Sequence, residues 1–312
     1  MASAGMEALA AAGHGPLGSR APELEDPLNR YLYHPLAARL ARALRPTPIS
    51  PNLVSVAGVL LVWGAAWCYS QLAWPAGVAA GFTLHLLWHV ADGADGDLAR
   101  LRGTASATGE LVDGVCDYSA HTLLYIVLAA MLEGQIGGWA WPLAMAAGAS
   151  HIVQTNHAET QRRSYLWWTY GIPWLKHAQA AGDEVFQGRN WFSQAFGWMA
   201  RDYLKLANAM TPQGARLDAL VDDSASDPRR IALIRRLSHR GFRAGLKLPK
   251  LLGPNPRTII LGASMTLGSP LYYFLAEVVA LNLALVLSVR HHEQVARALI
   301  NRVTRAGRVR HG

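Results

Sequence analysis

Charged side chains are scarce in this chain of 312 residues, of which only 16% are charged and 51% are hydrophobic. A soluble domain normally carries about 25% charged residues, so the composition excludes an ordinary soluble protein. Cysteine is rarer still, because the chain has only Cys68 and Cys116, and neither has a CxxC partner. This excludes a disulfide framework, and we interpret both thiols as small apolar packing residues.

The hydrophobic residues cluster into runs that are long enough to cross a bilayer. The fold class that this pattern predicts is all-α: a polytopic membrane protein with about six transmembrane helices. The predicted spans are 52–70, 74–92, 111–132, 138–157 and two short spans within 257–290 that turn at Gly268 to Pro270. One long span in the last block is the alternative, and it would make the total odd.

Positive charge predicts the orientation of these spans. The net charge is +8, and arginine collects before the first span, in residues 158–256 and in the C-terminal tail. The positive-inside rule therefore puts both termini in the cytoplasm and favours an even number of spans, as in a protein of the bacterial inner membrane. We expect contact with membrane lipids and no nucleic-acid binding, because no basic-aromatic platform is present.

The chain divides into five predicted segments. They are a disordered N-terminus (1–24), a juxtamembrane helix with the first four spans (25–157), a helical insertion (158–256), the last two spans (257–292) and a basic tail (293–312). Residues 28–45 read as an amphipathic helix that lies in the membrane interface, with a stripe of Leu36, Leu40 and Leu44.

Tryptophans interspersed with charge mark the insertion: Trp167, Trp168, Trp174, Trp191 and Trp198. This pattern predicts helices lying against the bilayer, with the tryptophans at headgroup level. Residues 222–228 read as a surface linker, and 229–250 as a basic surface-lying helix. A separate regulatory domain is the alternative.

Four aspartates stand at the ends of two apolar runs. Asp92 and Asp95 are spaced i,i+3, and Asp113 and Asp117 are spaced i,i+4, so each pair shares one helix face. Carboxylates at a membrane boundary are costly unless a cation compensates them. Four that converge would bind hard divalent cations. Asp97 fits no such role, and we expect it to be solvated.

Residues 92–117 fit the pattern D-x2-D-G-x2-A-R-x8-G-x3-D-x3-D at every position. The matching residues are Asp92, Asp95, Gly96, Ala99, Arg100, Gly109, Asp113 and Asp117. This resembles the signature of the CDP-alcohol phosphotransferases, a family of integral membrane enzymes. The resemblance extends over 30–160 and 255–295, and it implies a homodimer.

The resemblance implies a reaction in which an acceptor hydroxyl attacks the β-phosphorus of a CDP-alcohol and CMP leaves. It favours CDP-diacylglycerol as the donor lipid and a phospholipid as the product. A CDP-choline or CDP-ethanolamine type of aminoalcohol phosphotransferase and a catalytically silent lipid-binding relative are alternatives. A transporter is a third, but no pair of discontinuous helices suggests one. The acceptor stays open among polyols, polyol phosphates, amino alcohols and lipid alcohols.

By the same resemblance, Asp92, Asp95 and Asp113 would hold two Mg²⁺ or Mn²⁺ ions. Asp117 would take the acceptor proton and contact the second metal, although spacing alone does not say which aspartate is the base. Contacts with the CDP-alcohol are implied for Pro51, Asn52, Ser55, Gly96, Ala99, Arg100, Ser106 and Gly109. Ser55 stands where the family has threonine and keeps the hydroxyl.

Several histidines and arginines flank this motif. His85 and His89 are spaced i,i+4, but without HExxH they are better read as buried, hydrogen-bonded side chains than as zinc ligands. His121 lies one turn past Asp117 and is a candidate for the acceptor pocket. Arg162 and Arg163 follow the fourth span and would favour a phosphorylated polyol as acceptor; simple interfacial charge is the alternative.

Overall fold

In the computed structural model, the structure describes residues 21–177 and 191–308. These residues form helices and short turns, with no strand among them, which confirms the all-α prediction. The predicted disorder of residues 1–24 falls largely outside the described ranges. Residues 21–24 of this segment are described, and there the Glu23 carboxylate accepts hydrogen bonds from the hydroxyl groups of Tyr165 and Tyr170.

The helices are named α1 to α12 in chain order. They are α1 (His34–Leu44), α2 (Pro51–Gln71), α3 (Ala76–Arg102), α4 (Ala107–Ile136), α5 (Ala140–Tyr170), α6 (Trp191–Met210), α7 (Pro212–Asp223), α8 (Pro228–Arg243), α9 (Lys247–Leu251), α10 (Pro254–Thr266), α11 (Leu271–Leu275) and α12 (Asn282–Arg308). A π-helical turn (Asn29–Tyr33) precedes α1, and another (Ala276–Leu281) joins α11 to α12.

Three helical stretches in the described part of the chain are long and apolar enough to cross a membrane. They are Pro51–Gln71, Val112–Tyr170, which contains two helices, and Leu271–Ala306. The predicted span at 74–92 is not among them, because His85 and His89 make the apolar part of α3 more polar.

The last apolar block turns where the sequence predicts. Gly268 adopts a left-handed φ of 81°, and a helix ends on one side of it and begins on the other. The helix before this turn, α10, has only 13 residues and a length of about 20 Å, which is shorter than the hydrocarbon core. The total of six spans stays a prediction.

The chain forms two compact units. The first contains Glu25–Ile152 and Gly253–Asn282, and the second contains Met1–Leu24, Val153–Leu252 and Leu283–Gly312. The aspartate motif belongs to the first unit, and almost all of the predicted insertion belongs to the second.

Small residues hold α3 tightly against its neighbours in the first unit. A β-carbon at Gly81 would lie 2.7 Å from the Tyr69 ring of α2, and one at Gly93 would lie 3.0 Å from Ala37 of α1. Distances this short leave no room for a larger side chain. These contacts set the position of α3, which carries Asp92, relative to α1 and α2.

Helix α1 is found where the sequence predicts it. Ala37 and Ala41 are fully buried, whereas Leu36 of the predicted leucine stripe is 37% exposed. Ala37 packs against Gly93 of α3, where only a small side chain fits. The predicted position of the leucine stripe in the membrane interface stays a prediction.

In the second unit, the tryptophan prediction is wrong for two side chains. Trp168 and Trp174 are 1% and 8% exposed, so they are core residues, whereas Trp198 is 61% exposed. The indole of Trp168 donates to Asp218 at 2.7 Å, and Lys176 pairs with the same carboxylate. Burial raises the pKa of Asp218, although Lys176 opposes that shift.

The predicted linker and basic helix are both found in the second unit. Asp227 caps α8 by accepting from the backbone N–H groups of Arg229 and Arg230. The buried face of α8 carries Ile234 and Phe242, which pack into the hydrophobic core of this unit. The apolar face of this helix is thus covered by protein.

Candidate active site

A short turn sets α3 and α4 side by side. Gly103 ends α3 in the left-handed conformation, with a φ of 67°, and its N–H bonds to carbonyls of the last helical turn. Ser106 then starts α4 by accepting from the Gly109 N–H at 3.1 Å. The two helices therefore bring both aspartate pairs to the same end. Ser106 and Gly109 therefore have a capping role in the structure, and their predicted contact with the CDP-alcohol stays a prediction.

Three carboxylates converge at that end. One oxygen from each of Asp92, Asp113 and Asp117 lies within 4.8 Å of the others, and all three residues are partly buried. Like charges this close repel one another unless a proton or a cation offsets them. Carboxylate oxygens are the ligands of hard divalent cations, so the group fits Mg²⁺ or Mn²⁺.

Asp95 lies outside this group of three. It is only 5% exposed, its Oδ2 accepts from the Ser55 hydroxyl at 2.6 Å, and its Oδ1 accepts from the Gly96 N–H. Ser55 on α2 therefore orients a carboxylate on α3. The predicted role of Asp95 as a metal ligand stays a prediction.

Arg102 is a positioning residue that the sequence analysis did not single out. Its guanidinium donates to the carbonyls of Leu44, Thr47 and Ile49 at 2.6 to 2.8 Å. It thereby ties the loop between α1 and α2 to the end of α3. That loop leads directly into Pro51, Asn52 and Ser55. A lone arginine at a helix end gives no sign of such a role.

The prediction that Asp97 is solvated is wrong. Its side chain is 1% exposed and binds the Arg100 guanidinium at 2.6 Å. A buried carboxylate requires such a partner. A β-carbon at Gly96 would lie 3.3 Å from that guanidinium, so Gly96 leaves room for Arg100. Arg100 is itself one-third exposed, and Ala99 is partly buried beside it.

The prediction that His85 and His89 are buried and hydrogen-bonded is confirmed for His89, whereas for His85 only the burial is confirmed. His85 and His89 are 3% and 5% exposed, and His89 Nε2 lies 2.9 Å from the Thr258 hydroxyl. Neither ring nitrogen of His85 has a hydrogen-bond partner among the described residues. His121 Nδ1 lies 2.8 Å from the Asp117 carbonyl, and its ring packs edge-on against Trp88.

Comparison with known families decides the class of this site. Residues 48–166 match the family model described as CDP-alcohol phosphatidyltransferase. Over this segment, which is less than half of the chain, the protein is similar to that family, and we call the segment the transferase domain. It contains all four aspartates and every residue implied in CDP-alcohol contact. The family transfers a phosphatidyl group from a CDP-alcohol and typically depends on a divalent metal. No curated protein and no solved structure was found to match the chain.

The match ends at residue 166, so the predicted resemblance over 255–295 is not part of it. That region nevertheless supplies a buried ion pair beside the transferase helices. Arg257 Nε donates to Glu277 Oε1 at 2.9 Å, with side-chain exposures of 4% and 0%. Ionisable residues inside an apolar block are unusual enough to have flagged this pair from the sequence.

The transferase helices extend this polar network. His151 Nδ1 on α5 lies 3.6 Å from Glu277 and 3.0 Å from the Tyr125 hydroxyl on α4. Tyr125 in turn lies within 3.0 Å of the Tyr273 hydroxyl. A connected set of polar groups thus runs through the core of the first unit.

Arg162 and Arg163 both bind one carboxylate. Arg162 makes two hydrogen bonds with Glu159, at 2.7 and 2.6 Å, and Arg163 makes one at 2.6 Å. These three residues lie near the end of the transferase domain and belong to the second unit. Their predicted role in acceptor binding stays a prediction.

Proposed function

We propose that the protein transfers a substituted phosphate group from a CDP-alcohol to an acceptor hydroxyl and releases CMP. The observation that carries this proposal is the group of three converging carboxylates inside the transferase domain. All eight residues of the family pattern are present, which favours an active enzyme over a silent lipid-binding relative.

Asp92, Asp113 and Asp117 would hold the divalent ions, with Asp95 oriented beside them by Ser55. Mg²⁺ or Mn²⁺ bound there would offset the charge that develops on the phosphoryl oxygens. We assign the proton of the acceptor hydroxyl to Asp117, because a hydroxyl needs a base at neutral pH.

In this proposal Arg100 binds the donor diphosphate. Its guanidinium pairs with Asp97 and lies beside Gly96, and its side chain is one-third exposed. Guanidinium binds phosphate through paired hydrogen bonds. The nucleotide would be contacted from α2 by Pro51, Asn52 and Ser55. The small side chain of Ala99 would leave the nucleotide room beside α3.

We propose CDP-diacylglycerol as the donor, with the aminoalcohol type, which uses CDP-choline or CDP-ethanolamine, as a second candidate. One observation favours the second candidate. A groove that is lined by Tyr118, the residue after Asp117, has no Asp, Glu, Lys or Arg among its described lining residues, which suits a lipid acceptor. We also propose that the protein is a homodimer in a bacterial inner membrane, with both termini and the active site on the cytoplasmic face.

CMP release by purified protein in mixed micelles tests this function. With either donor and a panel of acceptors, release should require Mg²⁺ or Mn²⁺ and stop in excess EDTA. Asp113→Asn should lower the rate by about 100-fold. Asp202→Asn, which changes a surface carboxylate paired with Lys205, is the matched control and should leave the rate unchanged. Full activity in EDTA, or more than a tenth of the rate in Asp113→Asn, would contradict the proposal.

A further inference from the structure

A groove of about 360 Å³ lies between α4 and α5 in the first unit. The residues that define it are Tyr118, His121, Tyr125, Ala144, Gly148 and His151. Small residues make it possible, because Ala144 and Gly148 are one turn apart on α5. A β-carbon at Gly148 would lie 3.6 Å from the Tyr125 ring, an ordinary van der Waals distance, so the glycine leaves that space beside the ring open.

Polar side chains line one end of this α4–α5 groove, on the part of α4 that follows Asp117. Tyr118 follows Asp117 in the chain, and His121 stands one helical turn further on, with its Nδ1 on the Asp117 carbonyl. A neutral imidazole that donates through Nδ1 presents Nε2 as a hydrogen-bond acceptor. A hydroxyl bound by His121 would therefore lie one helical turn along α4 from Asp117, the residue that we assign as the base.

The rest of the groove is apolar and open to the outside. Ile126, Met145 and Ile152 line it, with exposures of 48%, 73% and 47%. All three lie in the stretch Val112–Tyr170, which is apolar enough to cross a membrane. An opening flanked by exposed aliphatic side chains on such helices faces lipid rather than water.

We propose that the α4–α5 groove holds the aliphatic chain of the acceptor, and that the acceptor is an uncharged membrane lipid with a free hydroxyl. The inference rests on the proposed function and names its acceptor class. A phosphorylated polyol would have to place its charge against a lining without a compensating cation, which is costly. The aliphatic chain of a lipid acceptor, in contrast, matches the apolar lining of the groove in polarity.

The donor is assigned to the other side of the carboxylates. Ser55, Asp95 and Arg100, which bound the proposed nucleotide position, lie on α2 and α3, whereas the groove lies between α4 and α5. In the transfer, the acceptor oxygen bonds to the β-phosphorus and its proton goes to Asp117. The bond from that phosphorus to the bridging oxygen breaks, and CMP leaves with the electron pair.

The experiment compares acceptors and tests a variant in which a larger side chain fills the groove. Dioleoylglycerol, glycerol 3-phosphate, inositol and serine are offered in micelles with CDP-diacylglycerol or CDP-choline, and CMP release is measured. We expect release with dioleoylglycerol. Ala149→Leu, which fills the groove, should raise the KM for dioleoylglycerol by about tenfold. Ala146→Leu, an equally exposed position on α5 outside the groove, should leave it within about twofold.

A second variant guards against loss of folding. Met145→Ala removes an exposed groove side chain, so it should not affect the fold and should raise the same KM by about fivefold. Release with soluble acceptors only would overturn the inference and leave the proposed function intact. A higher donor KM with an unchanged acceptor KM would place the donor's chain in the groove instead. Unchanged KM values in both groove variants would also overturn it. No release with any pair would contradict the proposed function itself.

Discussion

The buried pair of Arg257 and Glu277 allows a quantitative test of the first unit. Glu277→Gln removes one charge of a pair whose side chains are 0% and 4% exposed and 2.9 Å apart. The change leaves the Arg257 guanidinium buried without its counter-ion. Breaking a buried pair in this way typically costs about 3 to 5 kcal/mol, because desolvation of the remaining charge is uncompensated.

The cost should appear as a lower unfolding temperature in detergent. For a chain of 312 residues, about 3 to 5 kcal/mol corresponds to a shift of roughly 5 to 8 °C. Lys205→Met, which breaks the exposed pair with Asp202, is the control and should cost less than about 1 kcal/mol. The double change Arg257→Met with Glu277→Leu should recover much of the loss, since no charge is left buried.

The outcome that would refute this reasoning is an equal shift in Glu277→Gln and Lys205→Met. It would mean that water reaches the pair or that His151, 3.6 Å from Glu277, carries the compensation. A double variant less stable than Glu277→Gln would show instead that the pair is a net source of stability.

Three further predictions concern the site. Asp117→Asn should keep the affinity for the CDP-alcohol donor but lose turnover, which equilibrium binding beside steady-state rates would separate; an equal loss of both would make Asp117 a plain ligand. Arg102→Gln should raise the donor KM about tenfold because three carbonyl contacts of the α1–α2 loop are weakened, whereas Arg39→Gln on the exposed face of α1 should not. Arg162→Gln should raise the acceptor KM only if the preferred acceptor is anionic; an unchanged KM with dioleoylglycerol agrees with an uncharged acceptor, and a raised one argues against it.

Helix periodicity predicted that Asp92 and Asp95 share one helix face and that Asp113 and Asp117 share another. The sequence also predicted the turn at Gly268, since this glycine interrupts an apolar run. These two features depend on local spacing, whereas the meeting of Asp92 with the second pair, without Asp95, is set by the packing of α3 against α4.

Features that depend on helix packing were not predictable in the same way. Asp97 looked solvated because a sequence does not show that α3 buries this side chain under Arg100. Ala37 was not singled out because hydrophobicity does not show that only a small side chain fits opposite Gly93. The α4–α5 groove arises from small residues on one helix and Tyr125 on another, and their juxtaposition is set by tertiary structure alone.

The hydrogen bonds of Arg102 have a practical consequence for shortening the protein. An engineered chain that began at the first span, after residue 50, would lose α1 and the carbonyls of Leu44, Thr47 and Ile49 that this arginine binds. It would also uncover Gly93 on α3, which packs against Ala37. An affinity tag or fusion partner is therefore best attached before residue 21, so that the whole of α1 stays in place.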